Sequence, residues 1–212
     1  MNNERFKASK IIILVLVFVL GIVLVKTTFS NNTVKTNNDK KDVELMSGLH
    51  HVVISVKDLG DIKVELDADM APITVTNFLK LVNDKFYDGL TFHRIMKGFM
   101  IQGGDPTGTG YGGSDEQIKG EFISNGINNT ISHVRGTISM ARGKYPDSAS
   151  SQFFIVQSDS TYLDGDYAGF GHVTEGIEVV DKVVAAVEGK VGYNGAVEAK
   201  DQPVITSITQ ID

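Results

Sequence analysis

"FHRIMKGFMIQGGD", Phe92–Asp105, is apolar and aromatic for most of its length, yet it carries Arg94 near its start, Gln102 near its end, and then paired glycines. The apolar runs read as strand. Arginine offers only donors and is costly to bury, so Arg94 must answer to a partner. One reading is an edge-strand arginine paired with a carboxylate. Its neighbours suggest another. Met100 and Gln102 share its parity on a regular strand, whereas Phe99 does not. Bringing Phe99 to the same side requires a bulge or bend, and Lys97–Gly98 is the place the sequence offers for one.

Two further runs carry the same recipe. In "SQFFIVQ", Gln152 and Phe154 alternate onto one face, and "YLDGDYAGFG" offers Tyr162, Leu163 and Tyr167 around a tight Asp164–Gly165 turn. One arginine and two glutamines among Phe, Met and Leu describe a shallow apolar pocket with directional hydrogen bonding. Taken singly, each run is equally consistent with core packing, and convergence of the three is not readable from spacing.

Other candidate motifs lead elsewhere. The loop "GGDPTGTGYGG" places Gly108, Gly110 and Gly113 as a literal G-x-G-x-x-G. A dinucleotide fingerprint needs a helix opening on the last glycine and an acidic residue about 20 positions on. The next residues are the polar "SDEQIKGEF", without a convincing apolar stripe, so the glycines read as tight turns beside a groove. The histidines at 50, 51, 93, 133 and 172 show no i, i+4 pairing of the helical metal-site kind. His93, adjacent to Arg94, belongs on the opposite strand face and reads as structural.

The rest of the chain reads as many short strands with two helices. "HHVVISVKDLGDIKVEL" is a hairpin split at "DLGD". "APITVTNFLKLVNDKFY" sets Val75, Phe78, Leu79 and Val82 at helical spacing, with Pro72 in the first turn. "TEGIEVVDKVVAAVE" is a second amphipathic helix, with Ile177, Val180, Val183, Val184 and Val187 on one side, and "VITSITQI" closes as a strand. This pattern is mainly β, an antiparallel barrel or sandwich.

The 212 residues allow one ordinary domain plus an appendage, and a net charge of −6 without a basic cluster argues against nucleic acid as a partner. With no cysteine, thiol catalysis, disulfides and cysteine-ligated zinc are excluded. Arg5, Lys7 and Lys10 precede Ile11–Val25, a run without a polar side chain. A core helix would show a polar face. Extended through Phe29, with Lys26 snorkelling, the run approaches the roughly 20 apolar residues that span a bilayer. No Ala-x-Ala-like cleavage site comes after it, which favours an uncleaved anchor over a removed signal peptide. The basic flank puts the N-terminus in the cytoplasm and the rest outside. The expected organisation is a stub and anchor over 1–29, a flexible polar linker over 30–48 and a folded domain over 49–212. Localisation is then single-pass on the cell membrane with the domain extracytoplasmic, or secretion if the segment is cleaved.

"FHRIMKGFMIQGGD", "GTISMAR", "SSQFFIVQ" and "YLDGDYAGFGHVTEG" closely resemble, in order and spacing, the signature blocks of the cyclophilin family of peptidyl-prolyl cis-trans isomerases. The resemblance covers Leu49 to Asp212. It implies a closed eight-stranded antiparallel β-barrel capped by two α-helices, preceded here by the N-terminal hydrophobic anchor helix, as in a bacterial exported member. It implies Arg94 as the catalytic arginine, working with Gln102 and Phe99. Met100, Phe154 and Leu163 would complete a proline pocket, Gln152 would bind substrate backbone, and Ala141 with Arg142 would form the opposite rim. Family members often have Asn where Arg142 stands, Trp where Tyr162 stands and His where Tyr167 stands. The Trp position is linked in the family to tight cyclosporin binding, so Tyr162 sets strong inhibition in question. No metal or cofactor is implied. The implied partners are proline-containing peptides and unfolded exported proteins, met by a monomeric isomerase domain. Rival functions on the same fold are a non-catalytic proline-peptide-binding module and a surface interaction protein.

Overall fold

The computed structural model describes residues 44–212. The expected anchor over 1–29 and most of the expected linker lie outside these residues. Among the described residues no helix is long and apolar enough to cross a membrane.

β1 (Leu49–Val56) and β2 (Gly60–Asp67) form the expected hairpin, closed by a Val56–Gly60 pair with Asp58 in the left-handed region at φ 61°. Alternate residues Val52, Ile54, Val56 and Ile62, Val64, Leu66 are buried, which is the period of a sheet with one face on the core. Just ahead of β1, the Met46 N–H donates to Thr76 Oγ1 and the Gly48 N–H to Asp69 Oδ1, so ordered packing begins before Leu49.

Helix α1 (Pro72–Asn83) begins at the predicted proline and buries Val75, Phe78, Leu79 and Val82. Its first residues offer no side-chain cap, and the orphan N–H groups of Ile73 and Thr74 donate instead to the buried Glu121 carboxylate at 3.0 and 2.7 Å. Phe78 then meets Tyr87, Phe153 and Phe170 in an aromatic cluster with ring centroids 5.1–5.5 Å apart. Helix α2 (Ile177–Ala186) buries Val179, Val180, Val183 and Val184.

The remaining strands are β3 (Phe92–Met96), β4 (Met100–Gly103), β5 (Thr137–Met140), β6 (Phe153–Val156), β7 (Gly169–Glu175) and β8 (Ile205–Gln210). All eight join one antiparallel sheet in the order β3-β4-β6-β5-β7-β2-β1-β8. The expected closed barrel is corrected here to a half-barrel, because β3 and β8 share no ladder. The segments just ahead of them meet at an isolated Thr91–Val204 bridge, beside which the Phe92 N–H donates to the Pro203 carbonyl. The physical reason is that the outer edge of β3 is already occupied: the Val197 N–H donates to the His93 carbonyl, and Arg94 bridges Ala196. The start of β8 therefore pairs with Gly89 and Leu90, ahead of β3.

β4 and β6 are buried on both faces, and their alternation divides the apolar residues between two clusters. Ile101, Phe153 and Ile155 join the main core with both helices. Met100, Phe154 and Val156 point the other way and form a separate cluster with Met96, Phe99, Ala141, Leu163 and Tyr167. The second cluster is the wall of the site.

Candidate active site

β3 and β4 form a hairpin whose turn, Lys97–Phe99, has Gly98 at φ 79°. The bend expected at Lys97–Gly98 is this turn, and cross-strand pairing rather than parity along one strand sets the site: Arg94 lies opposite Gln102 and Met96 opposite Met100. On the next ladder, Gln102 pairs with Phe154 and Met100 with Val156. Three neighbouring strands thus present Arg94, Gln102 and Phe154 side by side.

The register slips between Phe92 and Arg94, leaving His93 as an extra residue on β3. A bulge turns neighbouring side chains toward the same side. His93 therefore lines the same cavity as Arg94, which corrects the expectation that it faces away. It is 4% exposed, and neither ring nitrogen has a hydrogen-bond partner among the described residues. Burial pushes its pKa below the ordinary histidine value; nearby Asp105 opposes that shift, and Gln152 alongside makes no bond to the ring.

The cavity measures about 560 Å³. Its apolar wall is Phe99, Met100, Phe154 and Leu163, and its rim carries Ala141, Arg142 and Tyr167, with Arg94 and Gln102 completing the expected set. Two expected residues stand outside it. Gln152 lines the adjoining cavity of about 520 Å³. Tyr162 is 71% exposed and leans on the Phe99 ring from outside, at 5.9 Å between centroids.

A chain of hydrogen bonds runs through the polar groups with every donor pointing one way. Arg94 Nη1 donates to Gln102 Oε1 at 3.1 Å, and Gln102 Nε2 donates to Gln152 Oε1 at 2.8 Å. Gln152 Nε2 then donates to the Gly110 and Gly112 carbonyls at 3.1 and 2.7 Å. Successive bonds of one sense fix both amide orientations. The second Arg94 anchor comes from far away in sequence: Nε donates to the Asn194 carbonyl at 2.8 Å, while Nη2 approaches Met96 Sδ. No carboxylate pairs with Arg94 among the described residues, so the edge-strand ion pair is not what holds it. Half-burial pulls its pKa below the usual arginine value, yet a guanidinium stays charged.

The glycine-rich loop shapes the far side, and no helix opens on Gly113. Asp105 organises it. Its Oδ1 accepts from the Thr107 N–H and hydroxyl, and its Oδ2 from the Thr109 and Gly110 N–H groups. Burial alone would raise the Asp105 pKa, but these bonds outweigh it and hold the carboxyl below its usual range. Beneath the apolar wall, the His133 ring stacks on Phe154 at 6.0 Å, bonded to Asp164 at 2.8 Å and Ser139 at 2.9 Å. Leu163 opens a type II turn with Asp164 second and Gly165 third at φ 81°, closed by the Asp166 N–H donating to the Leu163 carbonyl, and Tyr167 follows it.

Sequence reasoning missed His93, Asp105, Asn194 and Tyr193. The spaced Asp-x-Thr-x-Thr pattern at Asp105 was a readable loop signal. The bulge and the distant contact of Asn194 left no local mark.

The sequence model described as cyclophilin type peptidyl-prolyl cis-trans isomerase/CLD matches residues 51–210 of this chain. Peptidyl-prolyl cis-trans isomerase A of Dickeya dadantii is 38% identical over 167 residues, covering 76% of this chain and 84% of that protein. Peptidyl-prolyl cis-trans isomerase CYP18-1 of Arabidopsis thaliana is 47% identical over 124 residues, 58% of this chain and 76% of that one. Among solved structures, a cyclophilin type isomerase of Cryptosporidium parvum superposes with a TM-score of 0.68 at 32% identity, over 78% of this chain and 99% of its own. A second structure of that protein, determined in the presence of the dipeptide Ala-Pro, gives a TM-score of 0.66, also at 32% identity, over 76% and 99%.

Proposed function

This chain belongs to the cyclophilin-type peptidyl-prolyl cis-trans isomerase family and is a prolyl isomerase, and from that premise we propose how its residues act and where. The observation that carries the assignment of roles is a fixed cation, Arg94, without a carboxylate partner among the described residues, at the mouth of a cavity floored by Phe99, Met100, Phe154 and Leu163.

An X–Pro bond isomerises over tens to hundreds of seconds against a barrier near 20 kcal/mol set by amide resonance. No covalent bond need break, so the enzyme has only to bind the twisted amide better than either planar isomer. The apolar wall holds the pyrrolidine ring by removing it from water. In the twisted state the prolyl nitrogen becomes pyramidal and regains a lone pair. Arg94 donates to that nitrogen or to the adjacent carbonyl oxygen, its plane fixed beforehand by Gln102 and Asn194. A donor set before the reaction, in a partly dry site, stabilises developing charge without reorganising. Gln102 holds the flanking substrate backbone, with its amide oriented by Gln152 from the adjoining cavity, and Ala141, Arg142 and Tyr167 form the rim.

A protease-coupled assay on a proline tetrapeptide tests the role of Arg94. Arg94→Ala should lower kcat/KM roughly a hundredfold to a thousandfold, the range for loss of a preorganised donor, with an unchanged circular dichroism spectrum. Near wild-type rates would remove Arg94 from the mechanism.

The domain is proposed to work outside the cytoplasm on exported chains, tethered by the N-terminal segment. What supports this is Ile11–Val25, without a polar side chain, behind Arg5, Lys7 and Lys10, and a polar stretch before the fold. Alkaline extraction of cell membranes should leave the full-length chain in the pellet. Recovery in the cytosol would overturn the placement, and a shortened chain in the medium would replace the anchor by a cleaved signal.

A further inference from the structure

Arg142 is a second fixed cation, at the junction of the two cavities, and it lines both. Its guanidinium is held between two rings, 4.7 Å from the Tyr167 centroid and 5.1 Å from that of Phe122. Nε donates to the Asp166 carbonyl at 3.0 Å and Nη1 to the Gly143 carbonyl at 3.1 Å. Nη2 makes no hydrogen bond, and no carboxylate pairs with Arg142 among the described residues. The group is thus preorganised, charged and short of a partner, which are the conditions for recognising an acceptor planar like itself.

The surroundings point the same way. The cavity is lined by two arginines and, among the described residues, by no carboxylate, in a chain whose net charge is −6. A cleft lined by charge of one sign concentrates ligands of the other. Asp115 lines the adjoining cavity but forms no ion pair with Arg142.

We infer that Arg142 makes this isomerase selective for X–Pro segments carrying an aspartate or glutamate side chain at a position flanking the proline. The inference rests on the proline-pocket reading and adds the substrate class. The pair would sit at an exposed rim, so the expected preference is about threefold to fivefold, the scale of a favourable exposed ion pair. It should shrink as salt is raised through physiological ionic strength.

The test uses capped, amidated proline peptides with Glu, Gln or Lys in turn at each flanking position, so that no terminal carboxylate competes. Exchange NMR reads turnover and chemical-shift titration reads binding, with the full chain. In wild type, one flanking position should show Glu favoured over Gln and Lys disfavoured. Arg142→Gln should bring the Glu/Gln ratio to about one, and Arg142→Lys, a point charge without the planar fork, should keep only part of it. Equal use of Glu and Gln by wild type overturns the inference, as does a preference that survives Arg142→Gln. Acceleration of the Gln peptides in either case leaves the isomerase reading standing. Failure to accelerate any peptide would sink that reading instead, and the titrations would still decide the acidic preference.

Discussion

Arg94 is anchored at three atoms and none of its partners is charged. Nε meets a backbone carbonyl, Nη1 a side-chain amide and Nη2 a thioether. An ion pair would neutralise the group and spend its donors, whereas neutral acceptors orient the plane and leave net charge for the substrate. A lysine at this position supplies charge but not the fork. Arg94→Lys should therefore retain peptide binding within a few-fold while losing most of kcat in the protease-coupled assay. Equal loss of both, or of neither, would contradict a role for planar geometry. The residues around it differ in how legible they were. Arg94, Gln102, Phe154 and Leu163 each lie in a local pattern that the sequence displays. His93 does not, because a single inserted residue in β3 reverses the alternation from which its face was argued.

At the scale of elements, the hairpin that carries Arg94 is braced by a short turn about a hundred residues on. Asn194 adopts φ 54°, and Gly195 follows at φ 85°. A Cβ at Gly195 would lie 2.5 Å from Met96 Cγ, 3.0 Å from the Ile95 carbonyl and 3.3 Å from Arg94 Cγ. Gly195→Ala should therefore push this turn off β3 and release Nε of Arg94. The expected outcome is a fall in kcat of about tenfold, as loss of one hydrogen bond to a charged group implies, with KM little changed, since Gly195 touches none of Phe99, Met100, Phe154 and Leu163 at close range. A fall confined to KM, or none, would contradict the brace. The same turn explains the open sheet. Short strands and two amphipathic helices were evident from periodicity, yet whether β3 meets β8 depends on Gly192–Val197, a stretch with no regular pattern to read.

At the scale of the molecule, two buried histidines link stability to pH. Burial holds both His93 and His133 below the ordinary value, outweighing Asp164 in the second case. Unfolded, each would titrate near 6.5. As the pH drops below about 6.5 the unfolded chain takes up protons that the folded one refuses, so stability present above that pH is progressively lost. Asp105 and Asp164, held below the usual carboxyl range, add a further loss at lower pH. His51, raised by its bond to Asp212, acts in the opposite sense but sits at the surface. The urea midpoint should fall between pH 7.5 and 5.5, and less so in His93→Leu. A flat or rising midpoint would refute the coupling.

The central claim is that this molecule turns over X–Pro bonds through Arg94 and does not merely hold them. Exchange NMR on a proline peptide with catalytic amounts of the full chain addresses it without a coupling protease. Wild type should bring cis/trans interconversion from the uncatalysed scale of tens to hundreds of seconds into the range of exchange cross-peaks. Arg94→Ala should bind the peptide yet leave the cross-peaks absent. Binding without exchange by wild type, or undiminished exchange by Arg94→Ala, would contradict the account.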